Sequence, residues 1–148
     1  MKTLTLAAAA VLFASPALAQ TAAPAAPQLN VEIPELERVT ADPTCGGKTA
    51  LVEQRVFCVT TTQAGIGAVV DAYSAAFSTQ GWLPAGGSEN LIIYVKRKPE
   101  GGCDGFQMLA FADDTRVAAP AAPAWLAFAP IPGDVCAAQP AAPAAPAQ

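Results

Sequence analysis

The 148-residue chain contains no histidine. That removes the commonest general base and rules out any Ser-His or Cys-His nucleophile. Positive charge is scarce as well: 8 Lys and Arg stand against 12 Asp and Glu, a net charge of −4. The one cationic cluster is Lys96-Arg97-Lys98, and no basic tract reaches five residues, which argues against backbone-driven nucleic-acid binding. Beyond the N-terminus no segment carries 18 uninterrupted apolar residues, so no later bilayer span is expected. There is no Cys-x-x-Cys pair. The Gly65-Ile66-Gly67 triplet has neither a following Lys-Ser/Thr nor a longer glycine fingerprint, which excludes a phosphate loop. No cofactor is implied.

What is present begins with an export signal. Lys2 gives a positive start, residues 4–13 (LTLAAAAVLF) an apolar run of ten, and Ser15-Pro16 a helix break. Ala17-Leu18-Ala19 then supplies the small-x-small pattern of a signal-peptidase site. The run is too short to span a bilayer of ~30 Å. Residues 1–19 therefore read as a signal peptide. Losing Lys2 with it takes the net charge from −4 to −5. The Ala/Pro segments at 20–29 and 137–148 lack large apolar side chains and read as disordered tails. The remainder, 30–136, is long enough for one modest core.

Cys45, Cys58, Cys103 and Cys136 all fall in that core segment. An even count in an exported domain reads as two disulfides. Zinc is the competing reading, but the four lie too far apart in sequence and have no histidine to help them. Of the three pairings, Cys45–Cys58 with Cys103–Cys136 closes two sequence-local loops and is favoured. Each bond is then worth roughly 3–4 kcal/mol on the loop-entropy argument.

One helix is well marked. Between Gln63 and Gln80, Ile66, Val69, Val70, Tyr73 and Phe77 fall on one face at helical spacing. Thr62 is placed to cap its start, and Gly81 to stop it. Residues 51–61, 91–98 and 104–112 read as strands, with a further short one at 125–129. The expected fold is a small single α+β domain: one amphipathic helix packed on a sheet of three to four mainly antiparallel strands.

Candidate sites are few. Trp82, with Ser88 and Asn90, marks a Gly-rich loop. Trp82 either locks the helix onto the sheet, the preferred reading, or stands exposed in a binding loop. Lys96 and Lys98 share a strand face and offer either edge protection, which is preferred, or an anion contact. Asp113 and Asp114 are adjacent and point to opposite faces, so they cannot flank one glycosidic bond. Asp104 with either of them lacks a calcium-loop spacing. A Ser88–Lys96 or Ser88–Lys48 dyad is not suggested by any motif. The expectation is an exported, non-catalytic periplasmic or secreted interaction module of a Gram-negative bacterium, an inhibitor or assembly accessory whose partner is an envelope protein. The alternative is a small-ligand binder or atypical hydrolase with its site near residues 82–90.

Overall fold

A computed structural model describes residues 29–137. The expected signal peptide at 1–19 and nearly all of the two segments expected to be disordered tails, 20–29 and 137–148, lie outside the described residues. The domain orders as β1 (Thr40–Ala41), α1 (Thr49–Glu53), β2 (Phe57–Thr62), α2 (Ile66–Thr79), β3 (Leu83–Ser88), β4 (Leu91–Arg97), β5 (Cys103–Ala112) and β6 (Pro123–Ile131). It is a small α+β domain built on one antiparallel sheet.

That sheet has six strands in the order β1-β2-β6-β5-β4-β3, which corrects the expected three to four. The two additions have physical causes. β3 (LPAGGS) contains no β-branched or aromatic residue and reads as a loop. It becomes a strand because the two-residue turn Glu89-Asn90 folds it back on β4, pairing Ser88 with Leu91 and Leu83 with Val95. β1 is only two residues long, and it pairs with Val59 and Thr60 of β2. The segment at 51–61 is also corrected, since its start belongs to α1. Arg55 adopts φ 55° and Val56 N–H donates to Leu51 C=O, so the strand begins only at Phe57. β6, read as a short and optional strand, lies inside the sheet between β2 and β5.

The helix α2 begins at Ile66, the first residue of its apolar ladder and three residues after Gln63, so Thr62 is not its N-cap as expected. Gly65 occupies the N-cap, and the Gly65 N–H donates to both Thr62 C=O and Thr62 Oγ1 in the turn before it. At the other end, Gly81 (φ 83°) donates to Ser78 C=O while Trp82 N–H reaches back to Phe77 C=O. This pair of bonds is a Schellman closure, which needs the left-handed conformation glycine adopts without strain. It also turns Trp82 under the helix.

The apolar ladder of α2 then meets one face of the sheet. Tyr73, Phe77 and Trp82 from the helix side pack with Val59, Tyr94, Phe106, Met108, Leu126 and Phe128. Phe77 sits at the centre, edge-on to Tyr94, Phe106 and Phe128 at ring separations of 5.4, 5.1 and 5.9 Å. Such pairs contribute about 0.5–1.5 kcal/mol each beyond burial. Of the polar groups drawn into this layer, the Tyr94 hydroxyl lies 2.6 Å from Ser74 Oγ. Ser74 already donates to Val70 C=O at 2.7 Å, so the tyrosine is the donor. Burial pushes the Tyr94 phenol upward, while the Ser74 bond acts the other way.

The opposite face of the sheet is covered in patches. At one end lie Cys45, Leu51 and Val56, against Cys58, Ala127, Leu109 and Phe111. At the other end the C-terminal turn lays Val135 over Gly105, where a Cβ would stand 2.6 Å from a Val135 methyl. Two disulfides fasten these patches, Cys45–Cys58 and Cys103–Cys136. These are the sequence-local pairings. Disulfides of this kind belong to an oxidising, extracytoplasmic setting. No helix among the described residues is long and apolar enough to cross a membrane.

Candidate functional site

The expected Trp82–Ser88–Asn90 loop is a helix cap, an edge strand and a turn. Trp82 is 2% exposed and edge-on to Phe106 at 4.9 Å, which is the helix-locking role. Lys96 Nζ lies over its ring, 5.9 Å from the centroid, where the quadrupole of the indole attracts it. Asn90 Nδ2 donates to Ala110 C=O at 3.2 Å, and Ala110 N–H donates back to Asn90 C=O. Its side chain thus holds the turn onto β5. Ser88 closes β3, exposed, at the far end of the hairpin from Lys96. Five residues of strand separate them, roughly 17 Å at the rise of a β-strand, so they form no dyad.

The cationic cluster is partly engaged. Lys98 Nζ pairs with Asp104 at 3.8 Å, and Lys96 is held by Trp82. Both lie past Leu83, the first paired residue of β3, so they flank the end of the sheet edge. Asp104 opens β5 while Asp113 and Asp114 follow its end, about 30 Å away along the strand. No shared calcium site is built from them.

Three carboxylates stand out electrostatically, and sequence reading missed what each does. Asp42 accepts from Thr44 Oγ1 (2.6 Å), Thr44 N–H (2.9 Å), Gly46 N–H (3.0 Å) and Trp125 Nε1–H (2.7 Å). Those bonds, led by the Thr44 hydroxyl and the Gly46 amide, hold its carboxyl down at about 2. Asp113 repeats the local pattern with Thr115 and also pairs with Arg116 at 3.0 Å; its carboxyl is lowered first by the Thr115 hydroxyl. Asp134 accepts from Cys103 N–H (2.8 Å) and Cys136 N–H (3.0 Å), which lower it as well. The Asp-x-Thr spacing was the available signal for the first two, because such side chains bond their own backbone two residues on. All three are spent on fastening turns. Asp134 approaches both Cys103 and Cys136 at metal-ligand distances, but those sulfurs are consumed in the disulfide.

Two concavities lie near the C-terminal end of the described chain, one on the second face and one at the end of the α2-face core. One is an apolar cleft of about 490 Å³ between the β3–β4 hairpin and the C-terminal turn, lined by Ala85, Ile93, Val95, Ile131 and Val135 among others. The other is a smaller, more polar cleft of about 150 Å³ at Trp82, Asp104 and residues 130–133, roofed by Leu29 and Asn30. A third groove, of about 530 Å³, runs between Leu36–Arg38 and the small-residue side of α2. No protein-family profile, curated protein or solved structure matches this chain.

Proposed function

We propose that this protein is a non-catalytic periplasmic binding module that captures an extended segment of an envelope protein by adding it as a strand to β3. The carrying observation is the character of that edge. β3 is an outer strand, exposed along all six residues, and it bears no charge. Edge strands ordinarily carry lysines or are kept short to prevent pairing. The opposite edge follows that rule, since β1 has two residues. On β3, Pro84 and the register shift between Pro84 and Gly86 blunt only the first half. Gly86, Gly87 and Ser88 keep their outer backbone groups free of any such device.

Directly below lies the 490 Å³ apolar cleft, with Ala85 on its rim and Leu83, 59% exposed, beside it. Strand addition draws affinity from main-chain hydrogen bonds and specificity from pockets for alternate side chains. The β3 edge and the cleft supply one of each. The stapled frame adds rigidity, which lowers the ordering cost of association. The perturbed carboxylates favour a binding role over catalysis, because each is already committed to backbone donors.

The test is a pull-down with oxidised residues 20–148 from an envelope extract, against a tail-only control and an Ala85→Lys variant. Ala85 is exposed, so the variant folds with a stability change within about 0.5 kcal/mol. One stoichiometric partner, kept by the wild type and lost by Ala85→Lys, upholds the reading. A partner that ignores the substitution, or none at all, overturns it.

A further inference from the structure

We propose that Cys136 is a thiol-exchange site: a dithiol opens the Cys103–Cys136 bond there and dismantles one wall of the cleft below β3. The release of a captured segment rests on the strand-addition reading, whereas the opening of the cleft does not.

The two walls of that 490 Å³ cleft are made differently. Ala85, Ile93 and Val95 belong to the β3–β4 hairpin. Facing them is the chain from Ile131 to Cys136. Ile131 is the last residue of β6 to pair, opposite Gly105, so the sheet holds this wall only at its start. Past it, the hydrogen bonds that tie the wall to the rest of the described domain converge on Cys103. Val135 N–H donates to Cys103 C=O at 3.2 Å, and Cys103 N–H donates to Asp134 Oδ1 at 2.8 Å. The disulfide is a third tie to the same residue. Without it, two hydrogen bonds and the half-buried Val135 side chain must order residues 132–137. That is less than the conformational entropy those residues regain on release.

Access separates this bond from the other. Cys45 and Cys58 are both buried, at 0 and 2% exposure, with Leu51 and Val56 packed against them. Cys103 is as deep, but its partner Cys136 is only half-buried. A thiolate in solution therefore meets Cys136 before the other three. An Asp134 carboxylate oxygen, within 4.8 Å of both sulfurs, slows that approach, and the positive charge of Lys98 offsets part of the repulsion.

The exchange balances with the dithiol as reductant. One of its thiolates bonds to Cys136 Sγ as the bond to Cys103 Sγ breaks, and the Cys103 thiolate takes a proton from solvent. The second thiolate then bonds to the first, and Cys136 leaves as a thiolate that is protonated in turn. Two electrons pass to the protein, and the dithiol departs as a disulfide. The hairpin keeps its edge but loses its side-chain pocket, so a strand held there is released. The α2-face core and Cys45–Cys58 form no part of the wall.

The test treats oxidised residues 20–148 with limited dithiothreitol and traps free thiols with iodoacetamide for mass spectrometry. Label is expected on Cys103 and Cys136 about tenfold faster than on Cys45 and Cys58. With no partner present, the Val135 methyl signals are expected to collapse to random-coil positions. Those of Ile93 and Val95 should be broadened about twofold more by a soluble nitroxide, while the Trp125 indole signal, at the other end of the sheet, stays in place. Cys103→Ser with Cys136→Ser should reproduce these signals without reagent. The inference falls if the methyl signals do not respond to reduction, or if both bonds open at one rate. It falls equally if Trp125 moves with them, since the bond then holds the fold rather than a wall. In the pull-down, the opened form is expected to retain about tenfold less partner than the oxidised form. If the oxidised form captures nothing, the strand reading fails while the methyl signals still decide the opening. If both forms capture one partner equally, the strand reading stands and the release proposed here is overturned.

Discussion

The two faces of the sheet are covered by different means. On the α2 face, one helix delivers a continuous aromatic layer in which Phe77 touches four rings. On the other face, coverage comes from two short stretches, residues 42–56 and the C-terminal turn, each tied down by a disulfide and an aspartate. The first face is held by burial, which is non-directional and needs area. The second has little area to bury, so covalent bonds and charge-assisted hydrogen bonds take over. A domain of this size, with one modest core, relies on such staples.

The largest break in that contrast comes from Phe77→Ala. Truncating a fully buried ring at the centre of the layer is expected to cost about 3–5 kcal/mol, read as a lowered denaturant midpoint with the whole domain unfolding together.

Next come the staples. Replacing Cys45 and Cys58 by alanine, or Cys103 and Cys136, is expected to cost about 3–4 kcal/mol in each case on loop entropy. The two differ in where the damage appears. Hydrogen exchange should rise over residues 42–56 and Trp125 in the first variant, and over residues 132–137 in the second. Cys136 is partly exposed while Cys45, Cys58 and Cys103 are buried, so limited dithiothreitol should open Cys103–Cys136 first. Equal rates for the two bonds would contradict this.

The smallest effect belongs to Asp42. Its folded carboxyl is held at about 2, below the ordinary value, so its contribution is complete above about pH 4 and fades as the pH falls toward 2. Asp42→Asn is expected to cost about 1–2 kcal/mol at neutral pH and to flatten the acid limb of stability between pH 4 and 2. Asp113 and Asp134, also lowered, keep part of that limb in the variant.

The helix face was legible because its information is local. The ladder from Ile66 to Phe77 and the glycine at 81 identify α2 by spacing alone, and the helix-locking place of Trp82 follows from that stop. The cysteine pairing was legible for the same reason, since each bond closes a short stretch of chain. What sequence reading missed is non-local or low in propensity. β3 exists only because β4 lies beside it, and nothing in LPAGGS announces a strand. β6 pairs with β2 across more than sixty residues, Cys58 facing Ala127, which no local pattern encodes. The candidate site suffered most. The apolar cleft beside β3 depends on Ile131 and Val135 arriving against Ile93 and Val95 from some forty residues further along the chain. The alternation Leu29, Val31, Ile33, followed by Leu36 and Val39, was an available sign that the chain before β1 packs on the core, as it does.

Leu29, where the described domain begins, and Gly133, four residues before it ends, border the same small cleft. The polypeptide thus enters and leaves the domain at nearly one address. Chains with that property tolerate circular permutation and transplantation into a host loop. The domain is therefore portable: a few linking residues would let it be spliced into another exported protein as a pendant, with β3 facing outward and neither host nor guest threaded through the other.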